Sequence, residues 1–175
     1  MYKFKERLKN GAEVTIRPLK DGDRKTLSTI WKHLSPQSIY YRFFSPKKEL
    51  SESDLEYLSH VDFKKHVALT ACIENKDGSL EPVAIGRYIV TEENPGTAEV
   101  AFVVDDPFQG IGIGSALMKQ LAIIGRSAGL ERFVAYVLTE NTRMLSVFNH
   151  SGLPMQKSMA DGSTYEIELS LRPQT

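Results

Sequence analysis

The chain has 175 residues, 41% hydrophobic and 25% charged, with 22 Lys plus Arg against 22 Asp plus Glu. That is room for one domain with a substantial core, and the charge balance gives no overall field to attract nucleic acid or an acidic lipid surface. No run approaches the roughly 18 apolar residues of a membrane span, the start MYKFKERLKN has no apolar signal core, and one cysteine, Cys72, excludes an internal disulfide, so a reducing cytoplasm is the expected location.

Tyr2 to Leu8 and Ala12 to Arg17 are expected as strands around Asn10-Gly11, a strong hairpin signal because both turn positions favour positive φ. Asp21 or Asp23 can cap a helix running to about Leu34. Pro36 opens a second helical piece, PQSIYYRFF. Ser51 to Ser59 is a third, with Ser51 as cap and Asp54 at the capping-box position. Strands follow at Val67–Ile73, Val83–Val90 and Ala98–Val104, punctuated by Asp77-Gly78 and Pro95-Gly96. Cys72 lies in the apolar run VALTACI, where a buried small hydrophobe is expected rather than a nucleophile. Ser115 to Ala128 has apolar residues at helical spacing, and Gly129 is placed to end it. Phe133–Leu138 has strand composition, Asn141–Ser151 is a helix followed by Gly152, and Asp161-Gly162 separates two last strands, the second Tyr165–Leu171. The order describes one mixed α/β domain over residues 1–175.

Between the strand ending at Val104 and the helix from Ser115 lies DPFQGIGIGS, with Gly110, Gly112 and Gly114 at alternate positions. Backbone N–H groups at a helix start lack intrahelical partners and carry the positive end of the dipole. Glycines let an anion approach them, so the loop suggests a phosphate cradle; a tight strand-to-helix connection explains the same glycines. A Walker A loop needs Lys after the last glycine, and Ser115-Ala116 follows here. The dinucleotide fingerprint needs G-x-G-x-x-G, and this loop is G-x-G-x-G. His33, His60, His66 and His150 show no metal-ligand spacing, so no metal is expected.

Gln109, Gly112 and Gly114 fit the pattern Gln/Arg-x-x-Gly-x-Gly/Ala, and Asn141, Met144, Val147, Phe148, Gly152 and Leu153 fit Asn-x-x-Ala-x-x-Leu-Tyr-x-x-x-Gly-Phe about 25 residues later. With these motifs the chain resembles the Gcn5-related N-acetyltransferases, the GNAT superfamily. The stretch from Leu34 to Ala71 is similar to the acetyltransferase domains of bacterial protein lysine acetyltransferases. The resemblance implies a mixed, mainly antiparallel sheet flanked by helices, with two strands splayed at an acetyl-CoA site. It implies pyrophosphate binding by main-chain amides of Gln109, Gly110, Gly112, Gly114 and Ser115. It also implies a pantetheine arm held by the Val103 and Val104 amides and by Asn141, although a helix N-cap is the plainer role for Asn141. Glu99, a carboxylate in the otherwise apolar strand AEVAF, would be the general base, and an amide near Phe102 the oxyanion donor. The family's usual tyrosine proton donor is replaced by Phe148. Tyr40, Tyr41, Arg42, Phe43 and Phe44 would line the acceptor side or belong to the core, and Arg42, Lys47 and Lys48 would meet acidic residues near a target lysine. The implied partners are acetyl-CoA and a protein lysine or small amine, with no nucleic acid and no membrane; a homodimer is left open.

Overall fold

The computed structural model describes residues 3–173. Tyr2, the expected first strand residue, lies outside the described residues, as do the ends of the expected 1–175 domain. Strands β1 (Phe4–Arg7) and β2 (Glu13–Pro18) form the hairpin, with Gly11 at φ 87°. Three short helices follow: α1 (Arg24–Lys32), α2 (Pro36–Phe43) and α3 (Glu52–Ser59). Their starts are written in the sequence. Asp23 accepts from the Thr26 amide, Ser35 accepts from that of Ser38 with Pro36 at the first helical position, and Ser51 and Asp54 cap each other reciprocally.

Strands β3 (His66–Glu74), β4 (Leu80–Val90) and β5 (Thr97–Val104) form a meander. Helix α4 (Ile113–Ser127) leads to β6 (Arg132–Leu138), then come α5 (Thr142–Asn149), β7 (Met155–Met159) and β8 (Thr164–Ser170). The sheet order is β1-β2-β3-β4-β5-β6-β8-β7, and every described neighbouring pair is antiparallel except β5–β6. A parallel pair needs a crossover, which α4 supplies.

The sheet separates two apolar clusters. On one face α4 packs on β3, β4 and β5, burying Leu117, Leu121, Phe102, Phe133 and Phe148. On the other, Leu19, Leu27, Ile30, Leu58, Val61, Ala68 and Ile85 gather beneath α1 and α3. Cys72 is buried and free, in line with its apolar run.

One buried charge interrupts the second face. Arg87, 4% exposed, donates to the Leu58 carbonyl at 2.8 Å and to His66 Nε2 at 2.8 Å. An accepting Nε2 requires a neutral imidazole. Burial, and secondly Arg87, pushes the His66 pKa down to about 4. Below its ordinary value near 6.5 the unfolded chain therefore binds the proton and the native state does not. Stability should fall as pH drops from about 6.5 toward 4, by on the order of 3 kcal/mol from this group. Urea denaturation at pH 7 and pH 4.5 checks it: His66→Gln, which keeps an acceptor, should lose less stability than wild type over that interval.

Candidate active site

The parallel pairing of β5 with β6 covers only Thr97↔Arg132, Ala98↔Phe133 and Glu99↔Val134. Beyond it β5 runs on to Val104 and β6 to Leu138 unpaired with each other, so the strands splay. The Thr91 amide donates to the Thr97 carbonyl, and the Asp105 amide to that of Val83. These two bonds fix the phase of the antiparallel β4–β5 ladder, in which hydrogen-bonded pairs alternate. Odd-numbered β5 residues turn their main chain toward β4, and Val100, Phe102 and Val104 turn theirs into the opening. The expectation for Val103 is corrected: its amide belongs to the ladder opposite Ile85, and its side chain packs against the second apolar cluster. Val104, and Phe102 as an oxyanion donor, stand on the open edge. The opening is part of a cleft of about 1230 Å³.

After β5 the chain makes a 3-10 turn, Asp106–Phe108, held against α2 by the Ser35 amide donating to Asp106 at 2.9 Å. Gly110 and Gly112 follow with φ of 78° and 101°. Gly112 is the N-cap of α4, so the helix begins at Ile113, ahead of the expected Ser115. Its first backbone bond is Ala116 N–H to the Gly112 carbonyl, leaving the amides of Gly112, Ile113, Gly114 and Ser115 without intrahelical acceptors. Helices α1, α2, α3 and α5 each have a side-chain cap at this end; α4 has none, and it faces the cleft. Gly114 has a separate explanation: a Cβ there would come within 3.1 Å of Val147 on α5. Two glycines shape the loop, and the third lets two helices approach.

The Gln109 side chain ties the loop together. Its Nε2 donates to the Val104 carbonyl at 2.8 Å and to Ser38 Oγ at 3.0 Å, and its Oε1 accepts from Arg143 at 2.8 Å. Asn141 is the N-cap of α5, accepting from the Met144 amide through Oδ1 at 3.2 Å. Its Nδ2 is the end available to a ligand, and Asn141 lines the cleft. Glu99 is exposed, and it lines the cleft where the splay begins. It shares the sheet face of Ala101 and Val103, on which α2 also packs. Arg42 on α2 is its cationic neighbour: burial pushes that guanidinium down and Glu99 opposes the shift. Tyr41, Arg42, Phe43 and Phe44 line the cleft, whereas Tyr40 is 39% exposed and not among the lining residues. Lys47 pairs with Asp54 at 3.2 Å, so this expected contact for an acceptor already serves the fold.

Residues 32–153 match the model of the acetyltransferase (GNAT) family. The chain belongs to that family. It is 30% identical over 95% of its length to Acetyltransferase PA5475 of Pseudomonas aeruginosa, covering 88% of that protein. It is 35% identical over 83% of its length to Acetyltransferase Pat of Mycolicibacterium smegmatis, covering 42% of it. The GNAT domain of S. lividans PAT superposes with a TM-score of 0.84 at 31% identity, over 96% of each chain. The protein is accordingly an N-acetyltransferase, and its cosubstrate is acetyl-CoA.

The residues fit that cosubstrate. Four free amides at the α4 start suit a pyrophosphate, and the open edge of β5 suits the amide-bearing pantetheine arm. Where other GNAT chains carry Arg at the Gln109 position, this one has a neutral side chain held by Arg143. Arg143, exposed and two residues past the α5 cap, places a guanidinium beside the cradle. In the sequence Arg143 is a spacer position of the Asn141 motif, marked only by being a cation in the first turn of a helix, where the dipole disfavours it. Arg143→Gln should weaken acetyl-CoA binding about three- to tenfold, with the difference shrinking as salt is raised. Calorimetry at two ionic strengths checks this. Phe148 is 1% exposed and packs edge-on against Phe102 at 6.0 Å, so its position offers no proton. Among the described residues no group of His, Cys, Asp and Glu is arranged to hold a metal, and no helix is long and apolar enough to cross a membrane.

Proposed function

We propose that this enzyme acetylates the side-chain amine of a protein lysine by direct attack on acetyl-CoA in a ternary complex. The observation that carries the reading is the position of Glu99: a carboxylate where β5 and β6 part, in a cleft that Gln37, Tyr41 and Arg42 of α2 and its C-cap Phe44 also line. Support for a protein acceptor comes from the Leu34–Ala71 stretch, and from the likeness to Pat and to the S. lividans PAT domain.

A lysine amine has an ordinary pKa of about 10.4, and freeing it at pH 7 costs about 4–5 kcal/mol. Glu99, directly or through one water, takes the proton as the nitrogen attacks. The carbonyl oxygen, gaining charge, is met by the Phe102 amide. The carbon–sulfur bond breaks, the amide product forms, and the thiolate takes a proton from water. A thiol pKa near 8.5 makes departure without a positioned acid tolerable, which suits Phe148. Arg42 and exposed Lys48 remain to meet acidic residues around the target lysine.

The test is CoA release with candidate protein acceptors beside free polyamines and amino acids, with product masses read by spectrometry. A protein acetylated on lysine with the highest kcat/KM supports the reading. A free small amine turned over far faster than every protein would replace it with small-molecule N-acetylation.

A further inference from the structure

The acceptor half of the cleft has a second wall that the proposed chemistry leaves unused. Helices α1 and α2 cover β4 and β5 on the Glu99 face. On β6 and β8 that same face is open. Tyr136 lies there, two residues past the last β5–β6 pair, 40% exposed and lining the cleft. Its hydroxyl donates to Glu166 Oε1, its cross-strand partner, at 3.2 Å. That bond ties the ring to β8, on the side of β6 away from β5. Tyr136 therefore offers an aromatic surface with a polar tip beside the cleft. Glu99 and Glu166 both act on the Tyr136 phenol, raising its pKa after burial, so the three groups share one electrostatic neighbourhood. Neither carboxylate has an ion-pair partner within 4.0 Å among the described residues, whereas Glu168, the next carboxylate on β8, is paired with Arg132 at 3.6 Å. The other wall is opposite in sign, with Arg42 on α2.

Resting on the amine-acetylation reading above, we propose that Tyr136, oriented by Glu166, is the positioning residue that seats the alkylammonium of the acceptor before Glu99 removes its proton. The acceptor chain lies along the open face of β6, its methylenes on the Tyr136 ring and its cationic nitrogen at the ring face beside Glu99, with Glu166 adding its negative field from behind the ring. This selects a primary amine on an unbranched alkyl chain, such as a lysine side chain. A carboxylate on the carbon bearing the amine would face both glutamates, so the α-amine of a free amino acid is disfavoured.

The test needs no knowledge of the natural acceptor. The probe is n-butylammonium, with 1-butanol as its uncharged isostere, bound to the protein–CoA complex and followed by ligand-observed NMR titration. Wild type should bind n-butylammonium more tightly than 1-butanol. Tyr136→Leu and Glu166→Gln should each weaken n-butylammonium about three- to tenfold, with a smaller effect on 1-butanol and CoA affinity unchanged. Tyr136→Phe, which keeps the ring, should fall between. With a turned-over amine, the same variants should raise acceptor KM while kcat changes little. Equal binding of the two probes to wild type, or unchanged n-butylammonium binding in both Tyr136→Leu and Glu166→Gln, overturns the proposal. Failure of acetyl transfer to any amine would instead overturn the underlying reading, because the binding experiment does not involve turnover.

Discussion

Glu99→Gln is expected to lower kcat by about 10²–10⁴-fold at pH 7. The substitution keeps the shape of the side chain and removes its basicity. Among the described residues Glu99 stands exposed on β5 with no ion-pair partner within 4.0 Å, so the fold should not register the change. Its side chain lies on the sheet face toward α2, whereas the parts suited to acetyl-CoA are the main chain of β5 and the start of α4. Acetyl-CoA affinity should therefore stay within about twofold. As pH rises toward the lysine pKa, the acceptor supplies its own free amine, and the variant should recover part of the lost rate. Stopped-flow or steady-state rates from pH 7 to 10, under conditions where chemistry limits turnover, decide it. A variant with wild-type kcat at pH 7 would move the base elsewhere or make solution deprotonation sufficient.

Ser115→Asp should have opposite effects on stability and on binding. Ser115 is the third residue of α4 and exposed, and its amide is one of the four without an intrahelical acceptor. A carboxylate there complements the helix dipole and adds about 0.3–1 kcal/mol of stability. The same carboxylate occupies the place assigned to the pyrophosphate and repels it. Acetyl-CoA binding should fall about 30- to 100-fold, roughly 2–3 kcal/mol. A rise in thermal midpoint together with a loss of affinity cannot come from damage to the fold. Gly112→Val would be a poorer probe: φ of 101° strains any L-residue there, and binding would be lost along with the loop. Unchanged affinity in a folded Ser115→Asp protein would remove the α4 start from the cosubstrate site.

Much of the fold was legible because its signals are local. Asn10-Gly11, the caps at Asp23, Ser51 and Asn141, Pro36 at the start of α2, and Gly129 after α4 each declare themselves within a few residues. The α4 boundary was misread because Gly112 caps through its backbone conformation, with no side chain to announce it. The role of Val103 was misread because strand residues alternate in where their main chain points, and that phase is set by Thr91 and Val83 on another element. The missing side chain of Gly114 looked like a need of the cradle until Val147, 33 positions away, explained it, while the Gly114 amide stays among the four without an intrahelical acceptor. Tyr136 was invisible for the same reason, its importance depending on Glu166, and Arg143 carried only the hint of a cation in a first turn, its role depending on Gln109, which topology brings beside it. Lys47 was equally undecidable without Asp54. Motif spacing pointed to the loop before α4, and the register of the sheet to the face shared by Glu99 and Tyr136.

The account rests on direct transfer from acetyl-CoA to an amine in one ternary complex. Cys72, the chain's one cysteine, is fully buried, so no thiol is presented to hold an acetyl group in passing. The most direct test is an initial-velocity matrix in acetyl-CoA and Nα-acetyl-lysine amide, or a faster protein acceptor. Double-reciprocal lines that intersect are the predicted result. Parallel lines, the mark of an acetyl-enzyme formed before the acceptor binds, would contradict it.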